Sequence, residues 1–391
     1  MARALQAART RTILAAPPER RRAEIMVTMP ANAATDAGLV GAMVAAGMDC
    51  ARINCAHDGP EAWAAMIGKV RDAARAADRN VRIHMDLGGP KIRTGAVPLG
   101  GVRLRRGDMM LLTAGLGPDR PVARGADGRL RHPPRIGCTI PAALARVETG
   151  QSIWLDDGRV AGVVTDTGPD GLEVVVTRVP PGGHRLRANK GVNLPDTDLG
   201  VPMMTPADRR ALPFIARNAD MVGLSFVQRP EDVLELRADL DRLGGHDVAT
   251  VLKVETRRAV QSLPEILLAA MRGPALGVMI ARGDLAVECG WERLAEVQED
   301  ILSLSAAVHA PVIWATQVLE GLARTGVPSR AEISDVALAE RAECVMLNKG
   351  SNVIEAMRLL DGILERMQHR QSQRRALLPR SAPLARFAEG G

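Results

Sequence analysis

From residue 23 onward, short apolar runs alternate with segments of helical period, and this alternation restricts the fold more than any other feature of the chain. Eight runs read as strands: 24–28, 49–54, 81–86, 221–226, 250–255, 277–281, 312–315 and 343–347. Helical patterns fill the gaps, among them 35–46, 61–77, 230–243, 291–309 and 353–368. Strands covered by helices on both faces read as unbroken apolar runs, and their regular alternation with helices builds a parallel sheet. Eight such units are the count of an α/β TIM barrel, a (β/α)8 fold.

One gap breaks the rhythm. Between the third strand and a helix starting near Pro206 lie about a hundred residues of β and turn composition, with Gly-Pro, Asp-Gly and Gly-Gly pairs between short apolar stretches. A βα connection of that length needs a core of its own. The expected organisation is a basic N-terminal extension (1–22), a barrel made of 23–93 and 190–369, an inserted β-rich lid domain (94–189) over the barrel mouth, and a basic tail (370–391).

Composition narrows the functional classes. The chain has 391 residues, 46% hydrophobic and 25% charged, which excludes a disordered chain. No run of about 18 uncharged apolar residues is present, so no spanning helix and no membrane partner are expected. Five cysteines, at 50, 55, 138, 289 and 344, show neither zinc-finger nor Cys-x-x-Cys spacing, which suits a reducing, cytoplasmic setting. The net charge of +6 invites a nucleic-acid reading. However, six arginines against one acid stand in 1–22, and the same in 366–391, so the body between them is net −4. With 2% aromatics there is little for base stacking, and no nucleic-acid partner is expected. Only five basic residues are lysines: 69, 91, 190, 253 and 349.

In such a barrel the chemistry sits at the C-terminal ends of the strands. There the second strand brings Arg52 and Asn54, the third Asp86, the fourth Ser225, the fifth Lys253 and Glu255, the sixth Gly283 and Asp284, and the seventh Thr316. Glu255 and Asp284, from adjacent strands, offer hard carboxylate oxygens that suit Mg²⁺. Lys253 stands two before Glu255, so both point to one side. Arg52 and Arg93 add cations, and cations beside a metal fit an anionic, phosphorylated substrate. Taken singly each feature has a plain structural explanation, a surface Lys–Glu pair or a helix cap; their convergence does not. His57, just past Asn54, is a candidate ligand contact. No Walker loop or dinucleotide-binding glycine motif opens a helix.

These residues resemble the pyruvate kinase family. Ala51-Arg52-Ile53-Asn54-Cys55-Ala56-His57 is similar to the family's Ala-Arg-Leu-Asn-Phe-Ser-His, and Gly89-Pro90-Lys91-Ile92-Arg93-Thr94-Gly95 to Gly-Pro-Glu-Ile-Arg-Thr-Gly. Asp156-Asp157-Gly158, Lys190 to Pro195, Lys253-Val254-Glu255, Ala281 to Leu285, Ala315 to Glu320 and Ser329 to Val336 follow in the family's order. The resemblance implies phosphoryl transfer from phosphoenolpyruvate to ADP, giving pyruvate and ATP. It implies Glu255 and Asp284 as ligands of Mg²⁺ or Mn²⁺, with backbone N–H groups near Gly283 and Asp284 receiving the substrate carboxylate. Lys253, Arg52 and Arg93 would neutralise the transferred phosphoryl group, Thr316 would help protonate the enolate, and Ser225 would line the substrate site. Asn54, His57 and Lys190 would face substrate or nucleotide, and Asp157 would close with the lid.

The departures carry expectations too. Of the family's monovalent-cation site Asn54 and Asp86 remain, while Ala56 and Leu87 replace hydroxyl residues. Lys91 stands where potassium-dependent members carry Glu, so Lys91 with Asn54 and Asp86 is expected to stand in for K⁺, and activity without potassium follows. Gly88 stands where Lys is common, and Asn348-Lys349-Gly350-Ser351 replaces Ser-Gly-Glu-Thr. No counterpart of the family's C-terminal domain is seen, so no sugar-phosphate allostery is expected, and a homo-oligomer stays open. Two other readings stay open as well: a barrel aldolase or lyase acting on phosphoenolpyruvate or pyruvate, and a non-catalytic paralogue with a regulatory role.

Overall fold

A computed structural model of the chain describes residues 10, 12–14, 21–98, 100–115, 122–126 and 130–374, with the side chains of 369–374 excepted. Most of the expected basic extension and tail lies outside these residues. Sixteen strands are present among them. Three come first, β1 (Glu24–Thr28), β2 (Cys50–Asn54) and β3 (Arg82–Asp86). Eight follow in the inserted segment: β4 (Val102–Leu104), β5 (Met109–Thr113), β6 (Arg135–Gly137), β7 (Ser152–Leu155), β8 (Val160–Gly168), β9 (Gly171–Arg178), β10 (His184–Leu186) and β11 (Val192–Asn193). The last five are β12 (Met221–Leu224), β13 (Ala249–Val254), β14 (Leu276–Ala281), β15 (Val312–Ala315) and β16 (Cys344–Leu347).

Two compact units result. The first comprises 1–89, 204–282 and 293–391, and the second 90–203 with 283–292. The second is wider than the segment 94–189, because Arg93 bridges to Gly191 and β11 pairs with β7.

In the first unit, β1, β2, β3 and β12 to β16 close into a parallel barrel in the order β1-β16-β15-β14-β13-β12-β3-β2. The eight-stranded α/β barrel read from the alternation is therefore the observed fold, and the inserted β segment does follow its third strand. The helices start where local chemistry tells them to. Pro206–Asn218 begins with Pro at N1 behind a Thr205/Asp208 capping box, and Arg330–Ala339 with a Ser329/Glu332 box. Two strands end slightly earlier than expected, β12 at Leu224 and β13 at Val254, and after β12 Phe226 takes φ +57°.

At the opposite end of the strands a cluster of Met26, Cys50, Met221, Met279 and Met346 is joined by Ile13 and Leu14, both essentially without exposure. With few aromatics in the chain, flexible methionines fill this space. Arg21 is buried nearby. Its guanidinium donates to Asp49, Asp361 and the carbonyls of Ala23 and Gly47. These three residues correct the reading of 1–22 as a plain extension. Apolar Ile13 and Leu14 seal the barrel, and Arg21 is a structural cation, not part of a solvated charge surplus.

The second unit holds a six-stranded sheet, β11-β7-β8-β9-β5-β6, and a two-stranded ribbon, β10-β4. Alternate residues of β9 are buried, as expected of strands with one face on a core. That core includes Ile92, Leu104, Met110, Ile153, Val174 and Leu186. Among the described residues no helix is long and apolar enough to cross a membrane.

Candidate active site

A set of buried charged groups in the first unit lies at the C-terminal ends of β2, β3 and β13. Arg52 is paired across the strands with Thr28 on β1 and His84 on β3. This register lets its guanidinium donate to Thr28 Oγ1 (2.9 Å) and to Asp86 Oδ2 (2.7 Å from Nε). Asp86 is a hub, with no exposure. Its Oδ1 meets His84 Nε2 at 2.7 Å, and its Oδ2 also faces Lys253 Nζ at 3.4 Å. Burial alone would push the Asp86 carboxyl up, but Arg52, Lys253 and His84 outweigh it and hold the group well below the usual carboxylate range.

Lys253 and Glu255 point the same way, as their spacing requires, and Nζ lies 3.4 Å from Glu255 Oε1. Burial works against the ammonium, yet the carboxylates of Asp86 and Glu255 raise its pKa above the ordinary lysine value. Lys253 Nζ also donates to Ser225 Oγ, which donates on to the Leu87 carbonyl. The Phe226 N–H donates to Glu255 Oε2 at 2.7 Å, so the left-handed turn after β12 orients this carboxylate. Left-handed non-glycine residues also follow β15, at Thr316, Gln317 and Leu319. Backbone in this region is costly and concentrates at functional sites.

Beside this cluster Thr28, Arg52, Asn54, His57 and Lys349 line a cavity of about 360 Å³. The His57 carbonyl accepts from Trp63 Nε1, and Asn54 Oδ1 accepts the Ala56 N–H, so the segment after β2 is held by its own turn. The N–H of Gly88 donates to Asp208 Oδ1 at 2.7 Å, and that of Gly89 to Oδ2 at 3.2 Å.

The second unit carries its own charged groups. Lys91 Nζ sits 3.0 and 2.9 Å from the two oxygens of Asp284, in the first turn of the helix Arg282–Cys289. Asn193 Nδ2 donates to Glu288 Oε1 at 3.0 Å and approaches Asp284 Oδ1 at 3.4 Å. Asp156 accepts from His184 Nε2 (2.6 Å) and pairs with Lys190 Nζ (3.0 Å). Although burial opposes it, Lys190 and His184 lower the Asp156 pKa. Asp157, the neighbour picked out by the motif, has φ +54°. The backbone N–H of Arg93 donates to Thr139 Oγ1.

Of the residues chosen from sequence, Arg52, Ser225, Lys253 and Glu255 are thus brought together around Asp86, and Asn54 and His57 share the cavity wall with Arg52. Glu255 lies in the first unit and Asp284 in the second. Lys91 is engaged with Asp284, while Asn54 and Asp86 belong to the first unit. Gly223 was missed. An added Cβ there would stand 1.9 Å from Asp86 Oδ1, so only glycine leaves room for the hub. Arg282 was passed over as well. It lies 4.8 Å from the Trp314 ring centroid, donates to the carbonyls of Ala315 and Thr316 and pairs with Asp335, which braces the turn carrying Thr316.

The family model described as pyruvate kinase, barrel domain, matches residues 20–353. The chain belongs to the pyruvate kinase family. Similar curated proteins include the pyruvate kinase of Bacillus licheniformis, 33% identical over 346 residues, covering 87% of this chain and 56% of that protein. That of Geobacillus stearothermophilus is 32% identical over 370 residues, 93% of this chain and 60% of the relative. That of Methylorubrum extorquens is 35% identical over 356 residues, 89% and 69% respectively. The chain therefore spans little more than half the length of the first two pyruvate kinases.

Proposed function

We propose that the chain transfers a phosphoryl group from phosphoenolpyruvate to ADP. The observation that carries this reading is the buried set Arg52, Asp86, Lys253 and Glu255 at the ends of β2, β3 and β13. Phosphoryl transfer needs little covalent help from the protein; positioned charge does most of the work. Lys253, kept protonated by Asp86 and Glu255, has a charge that persists through turnover. Arg52 is locked by Asp86 and Thr28, so its geometry costs no reorganisation when charge builds on the phosphoryl oxygens.

In the proposed step the bond between phosphorus and the enol oxygen breaks as a β-phosphate oxygen of ADP bonds to phosphorus. The enolate then takes a proton at its methylene carbon, and Thr316 is placed in the route of that proton by its motif. The cavity beside Arg52 and His57 is of a size for a small ligand and is assigned to the nucleotide. Arg93 adds a further cation, Lys190 and Asp157 serve the nucleotide side, and the N–H groups of Gly283 and Asp284 serve the substrate carboxylate.

Glu255 and Asp284 are hard oxygen donors, each with an ammonium group beside it, and this donor chemistry fits Mg²⁺ or Mn²⁺. When bound, such an ion supplies positive charge to the substrate oxygens. Lys91, an ammonium where potassium-dependent relatives carry Glu, supports activity without K⁺. The test is coupled pyruvate formation with phosphoenolpyruvate, ADP and Mg²⁺ in sodium buffer, alongside Lys253→Met. Activity in the parent and a loss of at least about a thousandfold in the variant are expected. No pyruvate from the parent overturns the reading, and a fully active variant removes Lys253 from it.

A further inference from the structure

The ribbon β4–β10 carries a feature that the proposed reaction does not use. Arg103 and Arg185 are directly opposite each other on the antiparallel pair, with Leu104 and His184 one step to one side and Val102 and Leu186 one step to the other. Val102, Leu104 and Leu186 are buried, so the arginines point away from the core. Arg105 and Arg187, both exposed, follow directly on the ends of β4 and β10, two residues beyond Arg103 and Arg185. Like charges directly opposite on a ribbon destabilise it. Among the described residues, no carboxylate lies within ion-pair distance of any of the four guanidinium groups.

The face is also built to hold these groups flat. Opposite Arg187 stands Gly101, and opposite Arg105 stands Gly183. An added Cβ at Gly101 would lie 3.3 Å from Arg187 Cγ and 3.4 Å from Arg185 Cγ. One at Gly183 would lie 3.3 Å from Arg105 Cγ and 3.5 Å from Arg103 Cγ. Each glycine therefore leaves a bed for two arginine stems. The inner pair is further oriented by backbone: Arg103 Nη1 donates to the Gly182 carbonyl (3.0 Å) and Arg185 Nε to the Gly100 carbonyl (2.6 Å). The order Arg105, Arg103, Arg185, Arg187 is one row crossing the ribbon whose end Cα atoms lie roughly 14 Å apart, from the spacings of strands and of antiparallel pairs.

We propose that this row binds a linear polyphosphate anion. Guanidinium groups match phosphate oxygens through paired N–H donors, and a row held over glycine loses little side-chain freedom on binding. Among the described residues the face offers no Phe or Trp ring on which a base could stack, and a single row suits one chain of phosphates better than the two strands of a duplex. Inorganic polyphosphate is the partner of this chemistry. The inference is independent of the reaction proposed above.

The experiment follows fluorescently tagged inorganic polyphosphate by anisotropy with the full chain, as a function of salt. Two ribbon variants, Arg103→Ser with Arg185→Ser and Arg105→Ser with Arg187→Ser, are compared with a charge-matched control, Arg217→Ser with Arg272→Ser. The guanidinium groups of the outer pair make no hydrogen bond among those described, unlike those of the inner pair, so their loss leaves the ribbon's own bonds in place. The ribbon variants are expected to bind at least about tenfold more weakly than the parent and to lower the salt slope by about one to two. The control should stay within about twofold, and an oligouridylate of equal charge should bind at least about tenfold more weakly than polyphosphate. Absence of polyphosphate binding by the parent, or ribbon variants that match the control, would overturn the proposal. Equal binding of the oligouridylate would overturn the choice of partner.

Discussion

Lys91 and Asp284 face each other as one ammonium against both oxygens of one carboxylate, at 3.0 and 2.9 Å. The carboxylate proposed for a divalent ion is thus engaged by Lys91. If Asp284 serves the metal as proposed, the ion competes with Lys91. Lys91→Met should then bind Mn²⁺ about three- to tenfold more tightly, the range of a partly exposed ion pair. Electron paramagnetic resonance titration of free Mn²⁺ reads this directly. Unchanged or weaker binding would show that the pair does not oppose the metal.

The same lysine sets an expectation for monovalent ions. Pyruvate formation by the parent should be the same, within about twofold, in sodium and potassium buffers of equal ionic strength. Lys91→Glu should make the rate rise with potassium. A parent stimulated many-fold by potassium would sink the role given to Lys91.

Asp86 and Lys253 set opposite pH limits on stability. The Asp86 pKa is depressed in the folded chain, so its stabilisation is complete above the unfolded carboxylate range, about pH 4, and is lost as pH falls through the lower folded value. The Lys253 pKa is raised, so its share is complete below about pH 10 and is lost as pH rises through the higher folded value. Removing the hub leaves Arg52 and Lys253 buried without their shared partner. Asp86→Asn should therefore cost about 3–5 kcal/mol at neutral pH and flatten the acid limb of a urea-midpoint profile.

Gly223→Ala tests the room around that hub. With Asp86 Oδ1 1.9 Å and His84 Nε2 2.9 Å from the added carbon, the carboxylate must turn away from Arg52. The expected result is a fall in kcat/KM of at least about tenfold, with a lower urea midpoint. Full activity would mean that the ends of β3 and β12 give way easily.

Arg21→Met should lower stability by about 3–5 kcal/mol, because it strips Asp361 and part of the Asp49 environment of a buried partner. A urea midpoint equal to that of the parent would place the held charge elsewhere.

Much of this architecture was legible because barrel strands are local statements: an apolar run with a polar residue at its C-terminal end announces both burial and site. Arg52, Lys253 and Glu255 could be found this way, each standing at the end of its own run. Gly223 and Asp208 could not, because their importance lies in what another strand or loop brings against them. Asp86 was noticed for an ion it was thought to share, and its central place emerges only from the register that sets Arg52, His84 and Lys253 around it. The ribbon arginines are far apart in sequence, and only the pairing of β4 with β10 aligns them. Ile13 and Leu14 were hidden inside a segment whose arginines dominated its composition.

The pairing of β1 with β16, tied off by Arg21 against Asp361 across 340 positions, has a consequence for how the chain assembles. β1 can pair with β2 early, but its other edge cannot find β16 until more than three hundred further residues have been made. Loop closure over such a distance comes late, and a protein that grows from the ribosome exposes the unpaired edge of β1 in the meantime. Ile13 and Leu14, buried in the same cluster as Met26 of β1, are apolar residues that the nascent barrel must keep from other chains until it closes.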